Sequence, residues 1–168
     1  MRLRILEAAH AEVGKPAKRY TNGSPEDIAA GHDCSSFVRF VLGSAGLHIP
    51  DHVAHDGSVQ TTRHANELWD HYGIAVHEQF RMPGDLVFFS REGWWPTHVG
   101  IYVGDDMMIH SPGKNGEVIA EAELTTEPIS SPDPAGGHRQ LYDANPIGYK
   151  TPTVAYAPSY RINQTPLD

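Results

Sequence analysis

The segment that decides the fold reads HVGIYVGDDMMIH and spans residues 98–110. It contains two runs rich in β-branched, aromatic and long apolar side chains, residues 99–103 and 107–109, with Gly104-Asp105-Asp106 between them. Such runs favour strands, and a short Gly/Asp stretch between two of them favours a tight turn. The segment is therefore predicted to form a β-hairpin that carries one histidine near each of its open ends.

Further strands are predicted on both sides of this hairpin. Leu86-Val87-Phe88-Phe89 follows the turn signal Pro83-Gly84-Asp85, and Val118-Ile119-Ala120 follows a second turn signal. Residues 124–152 are rich in Pro, Gly, Ser and Asp, so a long excursion is expected there, and residues 156–162 are predicted to form a last strand. Successive short strands of this kind predict an antiparallel sheet.

The first half of the chain predicts helices instead. Apolar residues recur at helical spacing over residues 3–13 and again over residues 37–45, and Asp33 suits the N-cap of the second helix. The polar, turn-rich stretch between them is predicted to be a surface loop, and residues 59–72 are predicted to include a short third helix. Helices followed by an antiparallel sheet define the class α+β. No repeat or linker divides the sequence, so residues 1–168 are expected to form one domain.

Charge and cysteine content restrict the function. The formal net charge is −8 and the longest basic run is Lys18-Arg19, so no nucleic acid partner is expected. The single cysteine, Cys34, cannot form an internal disulfide and is either a buried filler or a reactive thiol. No run approaches the roughly 18 apolar residues of a membrane span, and the first residues lack the apolar core of a secretory signal. The expected location is the cytoplasm, or the periplasm or a target cell after export by a leaderless route.

Cys34 falls where a helix N-terminus would act on it. A thiol attacks a carbonyl as thiolate, and its reference pKa of about 8.5 can fall to roughly 3.5–7.5 at a helix N-terminus or beside a protonated histidine. The sequence therefore predicts a lowered pKa for Cys34. Such a nucleophile also needs an imidazole to move its proton and a third polar group to orient that imidazole.

The hairpin offers both of these groups in His98 and His110. Paired residues of an antiparallel hairpin have a constant index sum, so the two histidines share a face only when that sum is even. A three-residue loop, 104–106, satisfies this condition and pairs Val103 with Met107. A two-residue loop would place the imidazoles on opposite faces unless a bulge restored the phase. A three-residue loop or a bulged equivalent is therefore predicted.

A metal site is an alternative role for the other histidines. The sequence has 11 histidines, and His48, His52, His55 and His64 lie close together beside acidic residues. This stretch lacks a recognisable ligand signature such as His-Glu-x-x-His. Solvated loop histidines are the preferred interpretation.

Four motifs together resemble the NlpC family of papain-like bacterial cell-wall cysteine peptidases. They occur in the family's order within residues 13–113: a helix ending in VGKP, then DCSSF at residues 33–37, then PGDLVFF, and finally HVGIYVG with the following Ile109-His110. Ser36 stands where glycine is most common in the family. The resemblance implies a papain-like α+β fold with N-terminal helices packed on a central antiparallel sheet.

The resemblance also implies an activity and a set of site residues. The family hydrolyses peptidoglycan stem peptides, typically between γ-D-glutamate and a diamino acid, without metal or organic cofactor. Carried over, Cys34 is the nucleophile, His98 the general base and acid, and His110 the orienting group. Tyr20 resembles the family's substrate-binding tyrosine in the loop before the nucleophile, and Asp33 and Ser35 flank the cysteine at positions that contact the substrate's amino end in the family. The implied partner is a stem peptide or muropeptide, joined by an inhibitory or immunity protein if the chain is a secreted effector.

Two other functions remain open at this level. An amidase or another acyltransferase of the same superfamily would use the same order of cysteine before histidine. A catalytically idle binding module or phage-tail assembly module would be marked by a degenerate triad, whereas Cys34, His98 and His110 are all present.

Overall fold

The structure is a computed structural model that describes residues 1–17, 31–90, 95–113, 117–124 and 146–154. Within these ranges the helices are α1 (Arg2–His10), α2 (Cys34–Ser44) and α3 (Ala65–His71), with a 3-10 turn at Glu78–Phe80. The strands are β1 (His52–Val53), β2 (Val59–Gln60), β3 (Ile74–Val76), β4 (Leu86–Phe89), β5 (His98–Gly104), β6 (Met107–His110), β7 (Ala120–Glu123) and β8 (Pro146–Thr151).

Six of these strands form one sheet in the order β3-β8-β4-β5-β6-β7, and each neighbouring pair is antiparallel. The strands β1 and β2 form a separate hairpin. The α+β class and the antiparallel sheet predicted from the sequence are therefore confirmed. No helix in the described ranges is long and apolar enough to cross a membrane.

Apolar side chains cover both faces of this sheet. On one face, Ile5 of α1 and Phe37 of α2 belong to the same buried cluster as Ile101 of β5. On the other face, Phe89 of β4 and Tyr102 of β5 belong to a second buried cluster. This division follows from strand geometry, since successive side chains point to opposite faces.

The Gly-Asp turn before β4 also serves the packing of α1. Asp85 is fully buried and pairs with Arg2 at 2.7 Å, while the Thr151 hydroxyl donates to the same carboxylate at 2.8 Å. The N–H of Met82 donates to the second carboxylate oxygen at 2.7 Å. A buried carboxylate needs such partners to offset its desolvation, so Asp85 fastens the first helix to the sheet.

The hairpin of residues 98–110 has the bulged form that the sequence allows. Ile101 pairs with Ile109, Gly104 pairs with Met107, and the register shifts between Tyr102 and Gly104. The turn itself has two residues, Asp105 and Asp106, with φ angles of 49° and 55°. A two-residue turn of this kind twists like the adjoining strands, and the bulge restores the even index sum. The prediction of a three-residue loop or a bulged equivalent is confirmed in its second form.

The sequence-based prediction for residues 124–152 is wrong at its end, where β8 occupies a position between β3 and β4. The glycine that suggested a loop there has a packing role, because a Cβ on Gly148 would lie 2.7 Å from the Trp69 ring. Pro146 is the first residue of β8, a position where the missing N–H of proline is tolerated. The predicted strand over residues 156–162 lies outside the described residues.

The structure places the ends of several other helices and strands a few residues away from their predicted positions. Helix α1 ends at His10, earlier than the predicted 3–13, and the predicted third helix is α3 at the end of the 59–72 window. Strand β7 begins at Ala120, whereas Val118 forms an isolated bridge with Pro16. Neither β3 nor the β1–β2 hairpin was predicted, because strands of two or three largely exposed residues carry little apolar pattern.

Candidate active site

The N-terminus of α2 is defined by a capping box. The Asp33 carboxylate accepts from the N–H of Ser36 at 2.8 Å, and the Ser36 hydroxyl accepts from the N–H of Asp33 at 2.9 Å. The hydroxyl of Ser35 donates to the same Asp33 oxygen at 3.2 Å. Serine at position 36, where the resemblance expects glycine, therefore completes the cap, and Cys34 becomes the first helical residue.

The sulfur of Cys34 has an environment that favours the protonated thiol. Burial, followed by the negative charge of Asp33, raises the pKa of Cys34 to about 12. Backbone N–H groups of Val99, Ser35 and Cys34 itself act in the opposite direction and lower it. The sequence-based prediction of a lowered pKa is wrong for this structure, because desolvation outweighs the donors of the helix N-terminus.

The two histidines of the hairpin form a buried pair. The Nε2 atom of His98 lies 2.9 Å from the Nδ1 atom of His110, and the two ring planes meet at 83°. Each residue is only 2% exposed. One nitrogen must carry the shared proton and the other must accept it, so this contact fixes the tautomers of both rings relative to each other.

Both imidazoles are neutral near pH 7. Burial, followed by the proximity of His110, lowers the pKa of His98 well below 6.5, and burial lowers the pKa of His110 to about 4. Since Cys34 is also protonated, the three groups hold a neutral thiol and two neutral rings.

The helix start and the histidine pair meet where β5 separates from β6. The N–H of Tyr102 donates to the carbonyl of Asp85, and its own carbonyl accepts from Gly84, both at 2.8 Å. Backbone groups alternate in direction along a strand, so Val99 directs its N–H toward β6. Pairing with β6 begins only at Ile101, and the N–H of Val99 instead reaches the sulfur of Cys34.

The structure brings together most of the residues that the sequence selected. The sulfur of Cys34 accepts from the backbone of Val99, the residue directly after His98. His98 in turn contacts His110, and Asp33 and Ser35 flank the cysteine within the cap. Tyr20, also selected, lies outside the described residues.

Sequence reasoning missed Ser111, the buried residue directly after His110, whose hydroxyl donates to the carbonyl of His32. Its only signal was a polar residue at the predicted end of a strand.

The histidine-rich segment has a different arrangement. The His52 ring stacks on the His71 ring with 4.1 Å between centroids and 7° between planes, and His52 Nδ1 lies 3.1 Å from the Thr62 hydroxyl. Across the ranges that the structure describes, no group of three or more His, Cys, Asp or Glu residues is placed to hold a metal ion.

A helix that presents a thiol to an antiparallel sheet bearing two imidazoles defines the papain-like class of α+β proteins. The NlpC/P60 family matches residues 17–132, more than half of the sequence, and the chain belongs to this family.

Individual relatives agree with this assignment. The chain is 32% identical over 117 residues to a gamma-D-glutamyl-L-lysine dipeptidyl-peptidase of Bacillus cereus, covering 66% of this chain and 29% of that protein. It is 31% identical over 104 residues to a gamma-DL-glutamyl hydrolase of Bacillus subtilis, covering 60% and 21%. The chain thus spans less than a third of the length of these two curated relatives.

Solved structures share the fold. The peptidoglycan hydrolase RipB of Mycobacterium tuberculosis superimposes with a TM-score of 0.59 at 20% sequence identity, covering 92% of this chain and 65% of that one. An NlpC/P60 family protein from Bacillus cereus superimposes with a TM-score of 0.60 at 22% identity, covering 89% and 39%. At these identities the likeness establishes the architecture alone.

Proposed function

We propose that the chain is a cysteine peptidase that cleaves an amide bond in peptidoglycan stem peptides, between a γ-D-glutamyl residue and a diamino acid. Cys34 is the nucleophile, His98 the general base and acid, and His110 the orienting group. The observation that carries this proposal is the 2.9 Å contact between His98 and His110, beside the residue whose N–H reaches the Cys34 sulfur.

The first step transfers a proton within the site. In the tautomer in which His98 Nε2–H donates to His110 Nδ1, the basic nitrogen of His98 is Nδ1, and it takes the proton of Cys34 as sulfur attacks the scissile carbonyl. The neutral resting state makes this transfer part of the attack, because neither a free thiolate nor an imidazolium is present beforehand. His98 therefore acts as a base in the attack and not as a counter-ion.

In the remaining steps His98 returns this proton to the leaving group and then acts as base a second time. The S–C bond forms and the carbonyl oxygen becomes an oxyanion, which the backbone N–H of Cys34 stabilises at the open start of α2. His98 returns the proton to the departing amine as the C–N bond breaks, leaving a thioester. Water then attacks this thioester with His98 again as base, which releases the acid and regenerates the thiol.

Substrate recognition is proposed for the residues beside the nucleophile. Asp33 is partly exposed and carries a negative charge at the start of α2, which suits the positively charged amino end of a stem peptide. The buried Ser35 hydroxyl supports it by donating to the same carboxylate at 3.2 Å. Tyr20 is proposed as a third contact on the resemblance alone.

The choice of bond rests on the curated relatives, whose names specify γ-glutamyl bonds. The proposed partner is accordingly a muropeptide or stem peptide, and no cofactor enters the reaction.

Digestion of defined muropeptides followed by mass spectrometry tests both the activity and the bond. We expect two products whose masses place the cut after γ-D-glutamate, and none from a Cys34→Ala control. A cut between the sugar and the peptide would identify an amidase instead. Binding of intact muropeptide without any cleavage would support an idle binding module and contradict the proposal.

A further inference from the structure

A single buried hydroxyl connects the two halves of the site. Ser111 is 0% exposed, follows His110 directly, and donates its hydroxyl hydrogen to the backbone carbonyl of His32. His32 immediately precedes the N-cap of α2, so this hydrogen bond joins the end of the strand that carries His110 to the segment that leads into Cys34. The two ends are 79 positions apart in the sequence.

The hydrogen bond from Ser111 to His32 lies at the end of the sheet that adjoins Cys34. By the register of β5 and β6, Ser111 stands opposite Val99, two residues beyond the Ile101–Ile109 pair. At that position the ladder is replaced by two contacts to the start of α2: Val99 meets the Cys34 sulfur and Ser111 meets His32. The helix start is therefore held from both strands at the point where they part.

The acceptor of this bond is itself fixed. The N–H of His32 donates to the carbonyl of Pro16, at 3.3 Å, and its ring packs on Phe40 of α2 with 5.1 Å between centroids. The His32 residue is thus held both to the Pro16 segment and to α2, two residues before the helix residue Cys34. Other contacts keep α2 in the fold, since Phe37 and Val41 are fully buried on the sheet.

We propose that Ser111 is a positioning residue, whose hydroxyl holds the start of α2, and with it Cys34, in place relative to His98 and His110. The inference rests on the proposed function, because it assigns Ser111 to the same reaction. Loss of the hydroxyl shifts the thiol relative to the imidazole pair while leaving the buried face of α2 in place. A misplacement of about 1 Å can cost on the order of 100-fold in rate.

The test compares Ser111→Ala with a matched control, Thr62→Val. Thr62 is 1% exposed and donates its hydroxyl hydrogen to the carbonyl of Pro50 at 2.8 Å, so both variants remove one buried hydroxyl-to-carbonyl hydrogen bond. Thr62→Val also removes the 3.1 Å contact of this hydroxyl with His52 Nδ1. Ser111→Thr keeps the hydroxyl and serves as the conservative variant. Three quantities are measured for each protein: kcat and KM on a muropeptide, the thermal midpoint, and the rate at which iodoacetamide alkylates Cys34 at pH 8.

For Ser111→Ala we expect kcat to fall about 10- to 100-fold with KM changed less than about threefold. We also expect faster alkylation, because a displaced thiol is less desolvated and more of it is ionised at pH 8. Ser111→Ala and Thr62→Val should lower the thermal midpoint by similar amounts. Thr62→Val should leave kcat and the alkylation rate within about twofold of the unmodified protein. Ser111→Thr should recover most of kcat.

Four outcomes overturn the proposal: unchanged kcat in Ser111→Ala, an equal loss of kcat in Thr62→Val, a failure of Ser111→Ala to fold, or no recovery in Ser111→Thr. If the unmodified protein cleaves no stem peptide, the proposed function fails by itself. The positioning role is then decided by alkylation alone, since faster modification only in Ser111→Ala supports it and equal rates refute it.

Discussion

Two pairs of histidine rings occur in the described part of this molecule, and they differ in almost every physical respect. His98 and His110 are buried, meet edge to face at 83°, and share a 2.9 Å contact between ring nitrogens. His52 and His71 stack almost parallel, with 7° between planes, and His71 is exposed. The first pair adjoins the cysteine-bearing helix, whereas the second joins the β1–β2 hairpin to α3.

The difference shows how environment, and not residue type, distinguishes the imidazole pair that we propose for catalysis. A nitrogen-to-nitrogen contact orients a ring and fixes its tautomer, while a face-to-face stack does neither. Desolvation also keeps His98 neutral and ready to accept a proton, because burial lowers its pKa well below 6.5. Among the histidine pairs in the described residues, only His98 and His110 combine a contact between ring nitrogens with burial of both rings.

The largest expected effect separates the two pairs by activity. His98→Ala should reduce kcat/KM on a muropeptide by roughly 10³-fold or more, because the proton of Cys34 loses its acceptor. His71→Ala is the matched control and should stay within about twofold. Equal losses in both variants would remove the distinction between the pairs.

A smaller effect is expected within the proposed catalytic pair. His110→Asn should lose about 10- to 100-fold in kcat and retain more activity than His98→Ala, since an amide oxygen can still accept from the His98 ring and hold its tautomer. Steady-state kinetics of both variants on one muropeptide decides the point. An asparagine variant as inactive as His98→Ala would assign His110 a direct part in proton transfer.

The smallest effect concerns stability in acid. The folded-state pKa of His110 is about 4, below the 6.5 of an unfolded histidine, so the unfolded chain binds the proton more readily. Stability therefore falls as the pH decreases from 6.5 to 4, and His110 contributes at most on the order of 3 kcal/mol to this fall. Denaturant unfolding of His110→Asn should show a shallower loss over that window. An identical slope in both proteins would contradict the buried, neutral state of His110.

Local chemistry explains what the sequence could predict. The hairpin of residues 98–110 follows from strand propensity and a Gly-Asp-Asp turn, and the parity of its register required His98 and His110 to share a face. The capped start of α2 at Asp33 is equally local. Strand β8 was missed because Gly148 signals a loop in isolation, and its packing against Trp69 involves a distant part of the chain.

Long-range contacts explain what the sequence could not predict. The pKa of Cys34 depends on how much of its sulfur the fold buries, and this burial reverses the direction expected from the helix N-terminus. The link from Ser111 to His32 joins positions 79 residues apart, and no periodicity or motif in the sequence relates them. Both features arise where the helix start meets the parting strands.

The central claim is that Cys34 forms a covalent acyl-enzyme during cleavage of a stem peptide. The most direct test is to quench the protein with acid during turnover of a defined muropeptide and to map adducts by peptide mass spectrometry. We expect the Cys34-containing peptide to gain the mass of the acyl fragment ending in γ-D-glutamate, with no adduct in Cys34→Ala. Turnover by Cys34→Ala at an undiminished rate, or an acyl adduct on another residue, would contradict it.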